Sequence, residues 1–236
     1  MQSIVLPISL FALMSMPIDA DHCHPPIEQQ QAQYIVGYGS LMASSSKHST
    51  IQSAGPSLPV HIQGFKRGWI SPGNLPGFKI TFLGVVRAPQ DDFNAVIFKL
   101  PRQPEAIHAY DQRERSYCRH ALQPEEIQSL TSQALPPGQW WIYLSKKKIL
   151  QKPSQRYPIV QSYVDLFLKG CLEQAKRHHL KHFAQTCIQT THYWSNHWVN
   201  DRIYPRRPFI HEPHAVTIDH LLKQFVPQPF KHIRIE

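Results

Sequence analysis

The pattern of apolar and polar residues from 33 to 144 predicts a strand-rich region. Short runs of β-branched and aromatic residues alternate with turn signals, which is typical of a small barrel or a strongly curved sheet. The segments 72–74 and 88–92 are rich in proline, glycine, asparagine and aspartate, and they predict turns between strands. The predicted strands are 33–38, 60–70, 78–87, 93–99, 117–122 and 140–144.

Spacings of three and four residues predict the helices. A short helix is expected over 104–113, because Pro104 stands in the first turn, where a missing N–H costs nothing. A longer one follows from a stripe of apolar residues that must pack against the sheet. That stripe changes phase near Arg177 and resumes over 180–188, which predicts a kinked helix or two helices. The residues of the first stripe are Val160, Tyr163, Val164, Phe167, Leu168, Cys171, Leu172 and Ala175.

Prolines change the pattern in the last part of the chain. Pro205, Pro208 and Pro213 argue against regular structure after Asn200, and one more short helix is expected over 216–225. The segment 194–208 combines large aromatic residues with arginines and prolines. It is interpreted either as a polar tail whose aromatics cover the helix base, or as a strap that borders a ligand pocket. In the second interpretation Trp194 and Trp198 are anchors, and Arg202 or Arg206 faces an acidic ligand.

The N-terminal twenty residues carry an apolar run, 4–16, without lysine or arginine. The run is too short to span a bilayer, so we predict no membrane integration and interpret it as a secretory signal peptide. The alternative is a disordered or interfacial extension. The expected location is therefore secreted or periplasmic, and otherwise cytoplasmic. The predicted organisation is a signal peptide (1–20), a linker (21–32), one main domain (33–175) and a C-terminal helical extension with a tail (176–236).

Composition indicates an ordinary globular protein. The 236 residues are 42% hydrophobic and 17% charged, which is enough apolar content for a self-sufficient core. The net charge of +9 suits a nucleic acid, an anionic membrane or an acidic small molecule. The basic clusters 146–148 and 206–207 lack interleaved aromatics and form no continuous stripe. A nucleic-acid partner is therefore not predicted.

Four cysteines show no Cys-x-x-Cys spacing, which argues against a zinc ribbon or a thioredoxin-type site. Cys171 and Cys187 fall on apolar helical faces and are interpreted as buried thiols. Cys118 is interpreted as structural. An oxidising compartment would permit disulfides, but the sequence leaves their pairing open, including that of Cys23.

The strongest candidates for chemistry are a glycine-rich turn and a carboxylate. The turn consists of Gly37, Tyr38, Gly39, Ser40 and Leu41. Its two glycines permit close backbone approach, so that successive N–H groups can converge on a carboxylate or an oxyanion. Glu114 stands between a predicted helix end and a predicted strand. Each motif alone has a structural explanation: an ordinary loop, and a solvated helix end with surface ion pairs.

Together, these motifs resemble the γ-glutamylcyclotransferase superfamily, also called AIG2-like. The similarity covers the chain from about Tyr34 to Glu173. It includes Tyr-Gly-Ser-Leu at 38–41, the Asp-x-x-Glu-x-x-Tyr pattern ending at Tyr117, the strand Trp-Ile-Tyr-Leu around Tyr143, and the segment that begins the long helix at 158–170.

The resemblance implies an α+β fold, with a small mixed or antiparallel β-barrel flanked by helices. It implies cleavage of a γ-glutamyl compound to 5-oxoproline and a free amine. Glu114 would be the general acid and base, and the loop 37–41 would bind the α-carboxylate. Tyr143 would bond this carboxylate from the other side, and Tyr117 would also contact the substrate. It implies no metal, nucleotide or other cofactor.

Two departures and several alternatives accompany this resemblance. Arg115 stands where the family usually has glycine, and Leu41 replaces the asparagine of many members. The first departure leaves the substrate open, including a γ-glutamylamine or glutathione. A non-catalytic module that binds an acidic ligand is the alternative from another functional class.

Other constellations are weaker. The histidines include three groups with the spacing of metal ligands, but none forms His-Glu-x-x-His, and no native metal site is predicted. Ser40 lacks the Gly-x-Ser-x-Gly context of a hydrolase nucleophile. The three groups are His22/His24, His178/His179/His182 and His211/His214.

Overall fold

The computed structural model of the chain describes residues 23–206 and 212–236. The predicted signal peptide, 1–20, lies outside these ranges. The strands are β1 (Gln33–Gly37), β2 (Ser57–Leu75), β3 (Phe78–Lys99), β4 (Tyr117–Ala121), β5 (Ile127–Ser129), β6 (Gln139–Ser145), β7 (Ile159–Val160), β8 (Thr191–His192), β9 (Trp198–Asn200) and β10 (Arg234–Ile235). The helices are α1 (Ser44–His48), α2 (Pro104–Arg113), α3 (Gln161–Arg177), α4 (Phe183–Gln189), α5 (Ala215–Phe225) and α6 (Pro227–Lys231).

Seven strands form one mixed sheet that curls into a half-barrel. Their order is β4-β6-β1-β3-β2-β5, with β8 alongside β2. The central strand β1 runs antiparallel to β3 and parallel to β6. Because of the curl, Ser71 on β2 and Ser145 on β6 meet across the barrel, with their Oγ atoms 2.8 Å apart. The predicted α+β class with a small mixed barrel is confirmed.

A long two-stranded ribbon, β2 and β3, replaces both turns that the sequence predicted. The segment 72–74 remains paired within β2, and the chain reverses two residues later at Pro76-Gly77, where Gly77 has a φ of +81°. Such a φ suits glycine in a tight turn. The segment 88–92 is a register irregularity: Gln63 pairs with Asp92, whereas Phe65 pairs with Arg87. The extra β3 residues bulge out opposite Gly64, and a bulge tolerates a proline that cannot donate to the ladder.

The predicted helices are confirmed. The observed α2 has the predicted bounds, and α5 differs by one residue at its start. The phase change near Arg177 separates two helices, α3 and α4, and His179 between them has a φ of +55°. In the described part of the chain, no helix has the length and apolar content needed to cross a membrane.

Three apolar clusters hold these elements together. One lies inside the curl of the sheet, and a second lies between the sheet and α2. The third packs α3, α4 and α5 on the sheet, and it draws residues from Met42 to Leu222. Residues beyond 176 therefore share the core of the preceding part of the chain.

The C-terminal segment is more regular than predicted. Trp198 begins β9, which lies between β7 and β10 in a second, three-stranded sheet. Its indole is fully buried, and it stacks on Trp194 with a centroid separation of 5.1 Å. The prediction of no regular structure after Asn200 agrees with residues 201–206, which form neither helix nor strand. The strand β9 was not predicted, because it depends on pairing with β7, where Trp198 lies opposite Ile159, 39 residues earlier in the chain.

Two disulfides correct the interpretation of the cysteines. Cys171 and Cys187 are bonded to each other and join α3 to α4, so they are not free thiols. Cys118 on β4 is bonded to Cys23, which ties the segment before β1 to the sheet. Both pairings depend on how distant elements pack, and neither follows from spacing along the chain.

Candidate active site

The glycine-rich turn leaves β1 as a single 3-10 turn, Ser40–Met42. The N–H groups of Met42 and Ala43 bond the carbonyls of Gly39 and Ser40 at 3.0 and 3.1 Å. Met42 is the first residue whose N–H group is bonded within this turn. The N–H groups of the residues just before it have no partner inside the helical turn, as is general at the start of a helix. A Cβ on Gly37 would lie 2.8 Å from the carbonyl oxygen of Leu41, so glycine lets the chain fold back on itself here.

Helix α3 supports this turn from behind. The amide of Gln174 donates to the carbonyl of Met42 at 3.3 Å, and the carboxylate of Glu173 accepts from the N–H of Ser44 at 2.9 Å. The stripe predicted for α3 therefore buries the helix against both the sheet and the turn. The position of the turn is set by contacts that are distant in sequence.

Glu114 caps the C-terminal end of α2. Its N–H bonds the carbonyl of Tyr110 at 2.8 Å, and its own carbonyl accepts from the N–H of Tyr117 at 2.8 Å. These bonds fix the junction between α2 and β4 and hold the side chain, 17% exposed, near the turn. The carboxylate is thus partly screened from water while remaining accessible.

Arg113 joins the carboxylate to the turn. Its Nε donates to Glu114 Oε1 at 3.1 Å, and one Nη donates to the hydroxyls of Ser40 and Ser46 at 3.1 and 2.8 Å. The other Nη donates to the carbonyl of Ser46 and to the hydroxyl of Thr50. Sequence reasoning placed Arg113 on a solvated helix end and missed this role. The signal available was its position beside Glu114.

The predicted site residues meet in one small cavity, which we call the niche. Glu114 is the one acidic side chain among its described lining residues. Gly37 does not line the niche, and its part is to shape the turn. The lining consists of Val36, Tyr38, Gly39, Ser40, Leu41, Leu83, Glu114, Tyr117, Tyr143 and Tyr163.

Three of the four tyrosines of the niche are neutral hydrogen-bond donors. Burial, the largest cause, raises the pKa of Tyr38, Tyr117 and Tyr143, and the negative charge of Glu114 raises each of them further. Tyr117 donates to the carbonyl of Leu83 at 3.1 Å, and Tyr38 donates to that of Tyr143 at 2.7 Å. These hydroxyls hold the walls of the niche together.

Tyr143 is oriented differently from the expectation. Its hydroxyl donates to Asp111 Oδ1 at 2.7 Å, and this carboxylate also accepts from Arg119 Nε at 3.0 Å. The single hydroxyl proton is therefore directed at Asp111 and away from an anion bound in the niche. Tyr163 also lines the niche, although its position in the apolar stripe of α3 predicted only a packing role.

The niche opens into a larger cavity of about 610 Å³, which we call the cleft. The end of the β2–β3 ribbon forms one wall, and the junction between α2 and β4 forms the other. Apolar side chains, Leu75, Phe82 and Ile149, lie among polar ones, and Arg115 adds a cation. This volume accommodates a group attached to whatever occupies the niche.

The C-terminal segment supports the site indirectly. Trp194 packs edge-on against Trp69, and Trp69 packs edge-on against Tyr163 of the niche. The two arginines that were predicted to face a ligand are engaged elsewhere. Arg202 binds Asp165 at 2.7 Å and Asp219 at 2.9 Å, and Arg206 pairs with Glu236.

Over residues 194–206 the structure therefore favours the interpretation in which aromatics of this segment cover the helix base, through Trp194 and Trp198, whereas Tyr204 is exposed. Residues 207 and 208 of the predicted segment lie outside the described residues. The hypothesis of Arg202 facing a ligand is wrong, because two carboxylates already use its guanidinium. Over residues 23–206 and 212–236, no group of three or more His, Cys, Asp or Glu side chains is arranged to hold a metal ion.

Comparison with solved structures identifies the fold. A structure described as γ-glutamyl cyclotransferase aligns with a TM-score of 0.51 and 15% sequence identity, covering 66% of this chain and 86% of that one. An uncharacterized human protein aligns with a TM-score of 0.49 and 15% identity, over 67% and 87% of the two chains. A yeast γ-glutamyl cyclotransferase specific to glutathione aligns with a TM-score of 0.41 and 14% identity, over 69% and 98%.

The first of these alignments establishes that the chain has the γ-glutamylcyclotransferase-like fold. At 15% identity it establishes the fold alone. No protein-family profile matches the sequence, and a search of curated proteins found no match.

Proposed function

We propose that the chain cleaves a γ-glutamyl compound by internal cyclisation, which gives 5-oxoproline and a free amine. The observation that carries this proposal is the position of Glu114. It is the one carboxylate in the described lining of the niche, which it shares with the glycine-rich turn and its backbone N–H groups. The reaction needs one proton shuttle beside one anion site. The niche contains a candidate for each.

The substrate supplies its own nucleophile. The α-amine attacks the γ-carbonyl carbon, a five-membered ring closes, and the bond to the leaving nitrogen breaks. Because the attack is intramolecular, the main task of the protein is to fold the substrate and hold it. A niche with rigid, hydrogen-bonded walls suits that task.

Glu114 would act twice. As a base it takes a proton from the α-ammonium group, which frees the nitrogen lone pair for attack. As an acid it returns this proton to the departing nitrogen, which regenerates the carboxylate. The attacking nitrogen loses a second proton as the ring closes, and this proton goes to the released amine, which leaves as an ammonium ion, or to water. No covalent intermediate with the protein forms.

The loop would bind the α-carboxylate. The amides of Gly39, Ser40 and Leu41 supply N–H donors near the start of the 3-10 turn, and such backbone donors bind carboxylates well. We assign the carboxylate to these amides and not to Tyr143, whose proton is directed at Asp111. Tyr38, Tyr117 and Tyr143 would contact the substrate as walls of the niche.

The cleft would hold the leaving amine. Its apolar wall and its cation, Arg115, fit an amine with an apolar part or a carboxylate. A γ-glutamyl amino acid, a γ-glutamylamine and glutathione therefore all remain candidates. The alternative function, an acidic-ligand binding module, would use the same amides but would gain nothing from a carboxylate beside a bound anion.

A substrate panel tests the proposal. Purified protein is incubated separately with γ-glutamyl amino acids, γ-glutamylamines and glutathione, and 5-oxoproline is measured by mass spectrometry. We expect product from at least one class. If no class gives 5-oxoproline while one of them raises the melting temperature, the binding module is the better description.

Arg113 provides a second test, because it orients Glu114 and Ser40 at once. We expect Arg113→Met to lower kcat/KM about 10- to 100-fold, since a hydrogen bond to a charged group contributes roughly 1.5–3 kcal/mol. The acidic limb of the pH profile should move to higher pH, because a carboxylate without its cation ionises less readily.

Arg113→Lys should move the acidic limb part of the way back to its wild-type position, since lysine supplies the positive charge but not the fork of donors. Arg102→Met, on an exposed residue before the start of α2, is the matched control and should have wild-type kinetics. If Arg113→Met melts at a lower temperature but keeps the wild-type pH profile, Arg113 only stabilises the fold and does not position Glu114.

We also propose that the chain is exported. The apolar run 4–16 supports this, and so do the two disulfides, since disulfides persist mainly in oxidising compartments. The expected mature protein begins near residue 21. Intact-mass analysis of natively expressed protein measures this directly, and a full-length protein in a cytosolic fraction would contradict it.

A further inference from the structure

A second cavity, of about 520 Å³, lies at the tip of the β2–β3 ribbon; we call it the basic pocket. Asn74 and Leu75 of the ribbon line both this pocket and the cleft. The other walls come from the segment before β7 and from residues near the C-terminal end. The lining residues are Asn74, Leu75, Gly77, Phe78, Lys79, Gln155, Arg156, Pro158, Arg206, Arg234 and Glu236.

Four cations line the basic pocket: Lys79, Arg156, Arg206 and Arg234. The single carboxylate side chain among its lining residues, that of Glu236, pairs with Arg206. Within residues 23–206 and 212–236, the ion pairs leave Lys79, Arg156 and Arg234 without a carboxylate partner. The lining side chains therefore carry an excess of three positive charges.

Aromatic rings hold three of these cations in place. The Nζ of Lys79 lies 5.5 Å from the centroid of the Tyr157 ring, and the guanidinium of Arg156 lies 5.7 Å from the same centroid. The guanidinium of Arg206 lies 5.8 Å from the centroid of Phe78. A ring contact fixes a cation while leaving its N–H groups able to donate. Contact with the same ring thus places Lys79 and Arg156 close to each other.

We propose that the basic pocket binds a multiply charged anion, whose carboxylate or phosphate oxygens accept from Arg156, Arg234 and Lys79. Arginine forks suit the oxygens of both groups. The anion is either a separate small molecule or the acidic end of a long substrate that reaches the pocket from the cleft. The binding itself does not depend on the proposed catalytic function.

One wall is shared by the two cavities. The hydroxyl of Tyr157, whose ring lies beside both Lys79 and Arg156, donates to the side-chain oxygen of Asn74 at 3.0 Å. An anion that draws Lys79 and Arg156 together would act through Tyr157 on the part of the ribbon that also lines the cleft.

The first arm of the test measures binding without turnover. Citrate and pyrophosphate are titrated calorimetrically into wild-type protein, into Arg156→Gln/Arg234→Gln, and into a charge-matched control, Lys181→Gln/Lys223→Gln. All four side chains are exposed, so the variants should fold, and melting temperatures verify this. We expect at least one probe to bind the wild type and the control equally, and the Arg156/Arg234 variant at least tenfold more weakly. Absence of binding to the wild type, or an equal loss in both variants, overturns the proposal.

The second arm distinguishes the two sources of the anion. It measures KM for γ-glutamyl substrates with neutral and with acidic leaving groups. A KM that rises in the Arg156/Arg234 variant for the acidic substrate alone identifies the substrate as the source. Unchanged KM values together with lost citrate or pyrophosphate binding identify a separate ligand. Because the first arm is also performed with Glu114→Gln, its result is independent of whether the proposed reaction occurs.

Discussion

Glu114→Gln is expected to abolish most of the turnover, with kcat lowered about 10²- to 10⁴-fold, the usual contribution of a general base. The amide keeps the length and shape of the side chain, and its oxygen can still accept from Arg113 Nε, which lies 3.1 Å from Oε1 in the wild type. It cannot take the proton of the α-ammonium group. The folded state should therefore persist while the chemistry is lost.

The measurement compares kcat and KM for the best substrate of the panel. Glu105→Gln, an exposed glutamate in the first turn of the same helix, is the matched control and should keep wild-type rates. Substrate should still bind Glu114→Gln, since the amides of the turn are intact. A variant with activity within threefold of the wild type would remove Glu114 from the mechanism.

The candidate site could be predicted from sequence because its signals are local. The turn 37–41 has two closely spaced glycines, and Glu114 follows a helix whose start is marked by Pro104. Both also carry the sequence resemblance to a known superfamily. The structure places the two motifs in one niche, as the resemblance implied.

The contacts that orient these motifs could not be predicted, because they join residues far apart in the chain. Arg113 reaches Ser40, which is 73 residues away, and Ser46, which is 67 away. A pattern of charges at a helix end gives no information about such partners. The same holds for Cys171 and Cys187, whose pairing depends on how two helices meet.

The β2–β3 ribbon shows why turn residues can mislead. Gly73 was interpreted as part of a turn, yet it lies in a paired strand, where a Cβ would collide with the ring of Phe82. Glycine is therefore needed there for close packing across the strands and not for a change of direction. Only the three-dimensional neighbour distinguishes the two cases.

A buried arginine, Arg67, is the residue whose loss should destabilise the fold most. It lies on β2 with no exposed surface, and the rings of Phe93 and Phe167 each lie 5.0 Å from its guanidinium carbon. Burial lowers its pKa to about 9, which still leaves it charged at neutral pH. Its charge is solvated by neutral oxygens. They are those of Thr190, Thr191, Cys187, Asn94 and Tyr38.

These bonds add to the strand pairing of β2 with β3 and β8 and join elements that are distant in sequence. Arg67 on β2 reaches Asn94 on β3, the end of α4 and the strand β8 that follows it. The contact with the carbonyl of Tyr38, at 3.3 Å, extends the network to the turn of the niche. The same residue therefore supports both the core and the site.

Arg67→Met is expected to lower the free energy of unfolding by at least about 3 kcal/mol, because several buried oxygens lose their donor at once and each unsatisfied group costs roughly 1–3 kcal/mol. Domains of this size are stable by only about 5–15 kcal/mol, so this is a large share. Arg87→Met is the control: its side chain is 50% exposed and pairs with Glu126, and a surface pair contributes about 0–1 kcal/mol. Denaturant unfolding with the disulfides intact measures both variants.

If Arg67→Met does not accumulate as folded protein, Arg67→Lys is measured in its place. This variant retains the charge with fewer donors, so its free energy of unfolding should be lower than that of the wild type and of Arg87→Met. A loss at Arg67 no greater than that at Arg87 would show that the neutral oxygens find other donors, and that the charge is not what joins α4 to the sheet.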